Sequence, residues 1–277
     1  MKSLQIDGCL VINLPCRTDR WEVFQKRLPL LESLGLKPIR MDAVSGRDVP
    51  GYGKKPWFRQ RHSAKRDQAW AGKAGCTLSH RNAIALAKER AWKNVLILED
   101  DVSFNAAILV QWKRLMESMS VLPNDWIALY LYGHHPVSPV RVVKSYPETT
   151  CYEIGGAIGA VAYIVNGRYY DELLRLLPTE PTVWTWIARH KTVDRWYSRQ
   201  FVLLGHAYAM VPFGITHLAT PSDATTAGEP YDASSFDGSH FTRPKNYLLQ
   251  RLWLCFQNRL ALDLSIVRQW MKRSRGL

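Results

Sequence analysis

The sequence predicts an α/β protein built around a parallel sheet. Three observations carry that expectation. Short apolar runs such as "CLVINL" (9–14) and "VLIL" (95–98) are bounded by polar residues, as buried strands are. Over the first hundred residues these runs alternate with helical patterns, in the order strand, helix, strand, loop, helix, strand. Each run also ends in turn chemistry or charge, so polar groups collect at the strands' carboxyl ends, where open sheets of this kind bind ligands.

The elements follow in order. "CLVINL" is the first strand and stops at Pro15 in the polar turn "CRTDR". A helix is expected from about Arg20 to Leu34, with Phe24, Leu28, Leu31 and Leu34 near helical spacing and Gly35 as its stop. "KPIRMDAV" reads as a second strand closed by "SGRDVPGYG". Residues 54 to 70 are basic and aromatic without a clear period and read as a loop. "CTLSHRNAIALAKERAW" is the clearest helix, with Ile84, Ala87 and Ala91 at i, i+3 and i+7. Beyond the strand at 95–98, "DWIALYLYG", "GAIGAVAYIVN" and "HAYAMVPFGITHL" read as strands, and "GRYYDELLRLLP" and "TVDRWYSRQ" as helical. Residues 219–245 are rich in Gly, Pro, Ser, Thr and Asp and read as a long flexible loop able to close over a ligand. One domain is expected over 1–245, with halves at about 1–105 and 106–245, followed by a basic, tryptophan-bearing helical segment at 246–277.

Composition narrows the partners. The 277 residues carry 37 Lys+Arg against 24 Asp+Glu, a formal charge of +13, which favours anionic ligands. The five scattered cysteines form no C-x-x-C pair and indicate reduced thiols rather than a zinc ribbon or a disulfide framework. The N-terminus is a poor signal peptide and no apolar run reaches 18 residues, so a cytoplasmic protein without a membrane span is expected.

The stretch "KNVLILEDDVSF" holds the chemistry. Glu99, Asp100 and Asp101 close a buried strand, and two such charges about 4 Å apart repel by roughly 4 kcal/mol at an effective dielectric near 20. A cation must offset that. Oxygen ligands of this kind suit Mg²⁺ or Mn²⁺, which can clamp a diphosphate. Strand alternation turns Glu99 and Asp101 to one side and Asp100 to the other if the extended geometry persists. A solvated acidic turn is the plainer alternative.

The block "GCTLSHRNAIALAKERAWKNVLILEDDV" resembles the signature of the family 25 glycosyltransferases, which include bacterial lipooligosaccharide galactosyltransferases and resemble the collagen galactosyltransferases. "VINLPCRTDRWEVFQKRL" and "MDAVSG" resemble its earlier motifs, and "GAIGAVAYIVN" with "TVDRWYSR" its later ones. The resemblance is strong over 9–105 and loose over 150–200. It implies a GT-A type, Rossmann-like nucleotide-sugar fold with a variable acceptor half and an inverting transfer, most commonly from UDP-galactose. On that resemblance "EDD" takes the D-x-D role, with Asp101 on the metal and Glu99 on the ribose or metal; the departure from strict D-x-D bears on Glu99. The resemblance also supplies Asp194 as the base, with Glu153 as its substitute, and His217 as a late third metal ligand.

The other residues weighed for the donor are Asn13 and Arg17 at the first strand tip, Asp42 at the second, and Ser79 and His80 near a helix start, where anions are favoured. Each has a structural alternative: a surface helix position for Arg20, a turn role for Asp42, a buried structural histidine for His80 or His217, and an Arg195 or Arg199 salt bridge for Asp194. Expected partners are a UDP-sugar, a saccharide or glycolipid acceptor, and an anionic membrane at the inner face of the cytoplasmic membrane through the C-terminal segment, where packing on the domain is the alternative. A glycoside hydrolase fits poorly, its acids being clustered at one tip and a secretion signal absent. A nucleic-acid binder would meet repulsion from the acidic tip. A non-catalytic sugar-nucleotide-binding relative stays open. Oligomeric state and acceptor linkage are not encoded in any motif.

Overall fold

The computed structural model describes residues 5–59, 62–132, 135–218 and 246–275. The first strand, β1 (Gly8–Asn13), is buried along its whole length. Two helices follow, α1 (Thr18–Gln25) and α2 (Leu28–Ser33). One continuous helix was expected; Pro29 lies in the first turn of α2, where its missing N–H is tolerated, and the chain restarts there. Gly35 then takes φ +81°, which ends α2 at little steric cost.

Strand β2 (Pro38–Asp42) leads to α3 (Ala64–Glu89), a 26-residue helix. Its start corrects the loop expected over 54–70. The Ser63 side chain accepts from the Arg66 backbone N–H and caps a helix that begins twelve residues before Cys76. The early turns hide from a periodicity reading because Arg66 packs its guanidinium over Trp70, 4.2 Å from the ring centre, so a cation sits on the apolar side.

Next come β3 (Asn94–Glu99), β4 (Val102–Phe104), α4 (Ile108–Met119), β5 (Trp126–Tyr132), β6 (His135–Ser145), β7 (Thr150–Ile158), β8 (Ala162–Asn166), α5 (Tyr170–Leu176), α6 (Val183–His190), α7 (Val193–Leu204), β9 (His206–Val211), β10 (Ile215–His217), α8 (Tyr247–Asp263) and α9 (Ser265–Arg275). Two apolar runs read as single strands are each two. "GAIGAVAYIVN" breaks at Gly159, which has φ +98°. "HAYAMVPFGITHL" breaks around Pro212 and Gly214. The expected loop at 219–245 lies outside the described residues.

The main sheet has the order β2-β1-β3-β8-β5-β9-β7-β6. Strands β2, β1 and β3 run parallel, as the alternation predicts, whereas β8 enters antiparallel between β3 and β5. The sheet is therefore mixed, and the α/β class holds. Alternation sorts its core: Leu10, Ile12, Val95 and Ile97 join a cluster under α3, α5, α6 and α7, while Cys9, Val11, Leu96 and Leu98 join one under α1, α2 and α4. Burying each such aliphatic side chain stabilises the fold by about 1.5–3 kcal/mol. All five cysteines are free thiols. No helix among the described residues is long and apolar enough to cross a membrane.

Candidate functional site

The tips of β1, β2 and β3 meet in one cleft of about 410 Å³. Leu14 and Cys16 come from the first tip, Ala43 to Arg47 from the second, and Glu99, Asp100 and Asp101 from the third. Helix α3 forms the opposite wall through Gln68, Ala71, Gly72, Gly75, Cys76, Ser79 and His80. The wall and the second tip touch through glycines. A Cβ at Gly46 would overlap the Ala71 carbonyl, and one at Gly75 would overlap the Val44 carbonyl, so backbone meets backbone only without side chains. The Ser79 hydroxyl pins the same loop, accepting from the Val44 N–H at 2.8 Å and donating to the Gly75 carbonyl at 2.7 Å.

Strand β3 ends at Glu99, and Asp100 and Asp101 lie in the turn beyond it. The extended geometry stops one residue too early for strict alternation, and all three acids line the cleft. Arg20, in α1, donates through one nitrogen to Asp100 at 2.9 Å and to Asp101 at 3.2 Å, with only 12% of its side chain exposed. A second partner comes from β10. Its antiparallel pairing with β4 sets His217 opposite Val102 and brings the His217 ring nitrogen to 3.1 Å from Asp101. The ring also stacks on Tyr132 at 6.3 Å.

These contacts set the protonation of the cluster. Burial disfavours the His217 imidazolium, but the hydrogen bond to Asp101 and the Asp101 and Glu99 charges outweigh it and raise its pKa. Burial pushes Asp101 up, and His217 and Arg20 more than reverse it, so its pKa falls below the ordinary carboxylate range. Asp100 is raised, burial outweighing the Asn13 hydrogen bond and the Arg20 charge. Glu99 is raised as well, by burial first, against the lowering hydrogen bond from His80.

His80 is buried and supports Glu99 from behind. Its Nδ1 lies 2.8 Å from the Tyr163 hydroxyl and its Nε2 3.3 Å from Glu99. One tautomer satisfies both: the tyrosine donates to Nδ1 and Nε2–H donates to the carboxylate. Ser79 and His80 sit mid-helix, because α3 begins at Ala64, so no helix N-terminus acts there; this corrects the expectation. Cys76, His80 and Glu99 bring donor atoms within 4.8 Å of one another. Burial and the Glu99 charge push the Cys76 thiol well up, which keeps it a poor metal ligand.

The remaining expected residues fall as follows. Asn13 is buried and engaged on both sides, donating to Asp100 at 2.6 Å and accepting from Arg40 at 2.6 and 3.0 Å, so it orders the tip. Arg17 makes a two-pronged pair with Asp19 at 2.9 and 3.0 Å. Asp42 is exposed and does not line the cleft. Asp194, in the first turn of α7, accepts from the backbone N–H of Arg195 at 2.8 Å and of Gly159 at 3.2 Å. It forms no ion pair with Arg195 or Arg199 and does not line the cleft, though its charge reaches Cys76 in the cleft wall. Glu153 lies apart from the cleft in a closed ion cluster with Arg141, with His206 at 2.6 Å and with Arg251 at 2.7 Å. Burial would raise its pKa, but hydrogen bonds from His206, Tyr247 and Arg141 hold it at about 2, which makes it a weak base.

Arg40 and Tyr163 were not read from the sequence as site residues, and Arg20 was weighed only against a surface helix position. The signal for Arg20 was present, since three adjacent acids demand a nearby cation and α1 starts at the neighbouring tip.

Among curated proteins the chain is similar to procollagen galactosyltransferase 1 of Danio rerio, 25% identical over 187 residues, covering 64% of this chain and 30% of that protein. It is also similar to a probable inactive glycosyltransferase 25 family member 3 of Bos taurus, 27% identical over 193 residues, covering 64% and 31%. The chain thus spans about a third of the length of these relatives. Among solved structures it resembles a glycosyltransferase involved in glycosylation of the major capsid of PBCV-1 (TM-score 0.37, 13% identity, 72% and 74% coverage) and A197 from STIV (TM-score 0.39, 12% identity, 86% and 98% coverage). Neither likeness is close enough to transfer a site residue. Residues 6–153, more than half of the chain and including every strand tip of the cleft, match the sequence model of glycosyltransferase family 25 (LPS biosynthesis protein), and the chain belongs to that family.

Proposed function

We propose that the protein is an inverting, divalent-metal-dependent glycosyltransferase that moves a hexose, galactose from UDP-galactose as the leading donor, onto a saccharide of a bacterial lipopolysaccharide or related surface glycan. The observation that carries this reading is the convergence of three strand tips on one acid-lined cleft, with His217 against its Asp101. The donor set suits Mn²⁺ or Mg²⁺. Asp101 Oδ1 is buried without a hydrogen-bond partner among the described residues, and an oxygen of that kind is a natural cation ligand. Asp101 and His217 would hold the ion, with Glu99 beside them, and the ion would neutralise charge on the departing diphosphate.

The chain's own residues do the rest. Arg20 neutralises Asp100 and Asp101 and stands where a phosphate charge can take over part of its pairing. Tyr163 and His80 hold Glu99 in place. Gly46 and Gly75 let the second tip close against α3, which narrows the cleft around the nucleotide. Asp194 is the proposed base; its two backbone hydrogen bonds fix its orientation while it takes the acceptor hydroxyl proton.

The test is turnover with UDP-galactose, UDP-glucose and N-acetylated UDP-sugars on truncated lipooligosaccharide acceptors, for wild type and Asp194→Asn. Transfer that falls by about 10²-fold or more in the variant, with donor binding kept, supports the reading. A non-catalytic sugar-nucleotide binder is the second reading. It is favoured by the similarity to a probable inactive family member and by the pairing of Arg20 with two of the three acids. Metal-independent UDP binding without transfer to any acceptor would select it.

A further inference from the structure

Helices α8 and α9 carry their apolar side chains outward. Of the fifteen large hydrophobic side chains exposed among the described residues, eleven lie between Leu248 and Met271; the other four are scattered as Val23, Leu109, Val110 and Val121. Leu252, Phe256 and Leu260 form one row along α8. Trp253 and Phe256 stack at 5.5 Å, and Trp270 on α9 is 68% exposed. Several polar residues turn the other way. Arg251 pairs with Glu153 at 2.7 Å and with the Gly205 carbonyl at 3.0 Å, Asn258 is buried, and Arg268 donates to the Arg189 carbonyl at 2.9 Å. This reverses the usual arrangement of a surface helix. The pair is nevertheless anchored, α8 against α7 and β6, and α9 against α6.

Charge identifies what covers the face. Over 247–273 the sequence holds Arg251, Arg259, Arg268, Lys272 and Arg273 against Asp263 alone. Lys272 lies over the Trp70 ring at 5.4 Å, and burial, then Arg268, Lys191, Lys73 and Arg66, hold it at about 8. None of Lys73, Lys191 and Lys272 has a carboxylate partner within ion-pair distance among the described residues. A second copy of so basic a chain would bring like charges together, whereas an anionic surface would compensate them. We propose that the outward face of α8 and α9 seats the protein on a bilayer bearing anionic lipid, with Trp253, Phe256 and Trp270 in the headgroup–acyl boundary and Arg259, Lys272 and Arg273 at the lipid phosphates.

The position suits the cleft. Trp70, under Lys272, lies on α3 between Gln68 and Gly72, which line it. A lipid-borne acceptor would be presented beside the donor; that last step rests on the transferase reading, while lipid docking does not.

The experiment is flotation of the full chain with vesicles of phosphatidylcholine alone or mixed with phosphatidylglycerol, alongside Trp253→Ser/Trp270→Ser. Both side chains are exposed, so the double variant keeps its melting temperature and its UDP binding. Binding to the mixed vesicles is expected, about tenfold or more tighter than to neutral ones, and at least about tenfold weaker in the variant. Absence of binding to either vesicle, or equal binding of the variant, overturns the proposal. So does a dimer, seen by sedimentation equilibrium, that the same substitutions dissolve, because the face would then belong to a second copy. Vesicle binding by a chain that binds no UDP would remove the transferase reading and leave the docking surface standing.

Discussion

Replacing Arg20 by Met keeps the length and packing of the side chain and removes the charge that holds the acidic tip. Its guanidinium lies 2.9 Å from Asp100 and 3.2 Å from Asp101, and the two carboxylates are only 8% and 7% exposed. Water cannot replace the lost partner fully, and breaking a buried ion pair on one side costs about 3–5 kcal/mol. His217 still pairs with Asp101, so the lower end, about 3 kcal/mol at about pH 7.5, is expected. The pH dependence follows from the sign of the shift. Arg20 lowers both carboxyls; Asp100 is raised on folding even with it, by burial, and is raised further without it, while His217 still holds Asp101 down. A group raised on folding contributes stability below its unfolded pKa and loses it as pH rises through the folded one. The deficit of Arg20→Met is therefore smaller at about pH 5 than at about pH 7.5, because protonation of Asp100 relieves the unpaired charge as pH falls. Urea unfolding followed by tryptophan fluorescence at the two pH values reads it, as the difference in midpoint multiplied by the slope. A deficit under about 0.5 kcal/mol at the higher pH, or one of equal size at both, would refute the reasoning.

Mn²⁺ should raise the melting temperature of Arg20→Met more than that of wild type, because the acids it frees become ligands; equal shifts in thermal scans would count against a metal at this tip. Glu153, held at about 2 against an ordinary 4.5, adds stability at neutral pH that is lost as pH falls from about 4.5 towards 2. Glu153→Gln should therefore flatten the acid limb of the urea midpoint over that window. Gly75→Ala should destabilise by about 1–3 kcal/mol and weaken UDP binding together, since the loop at 43–47 must leave α3; calorimetry beside thermal melting separates this from a surface effect. His80→Phe leaves Glu99 and the Tyr163 hydroxyl unpartnered at a cost of about 1–3 kcal/mol, while in a double-mutant cycle the further change Tyr163→Phe should cost little.

The parallel start of the sheet was legible because burial on both faces leaves an uninterrupted apolar run, and Leu96 and Ile97 face different cores from adjacent positions. The convergence of the three tips followed from that order alone. The beginning of α3 was illegible because Arg66 and Trp70 pair as cation and ring, which a hydrophobic period does not register. The split of "GAIGAVAYIVN" turned on one left-handed glycine inside an apolar run. At the site, the sequence demanded a cation for the acids and suggested a metal; Arg20 and His217 meet part of that demand within the chain. Asn13 looked available for a nucleotide because its partners Arg40 and Asp100 lie 27 and 87 residues away and share no local pattern with it. The outward face of α8 and α9 was foreshadowed by tryptophans among arginines, but which side they turned to could come only from packing.

In the proposed function, Glu99, Asp101 and His217 join a divalent cation to a nucleotide diphosphate at the end of β3. Calorimetry of UDP with wild type and Asp101→Asn, each with and without Mn²⁺, tests it most directly. UDP binding strengthened by Mn²⁺ in wild type, with that dependence lost in the variant, is the expected result. UDP binding of equal strength in all four titrations, or none in a folded wild type, would contradict it.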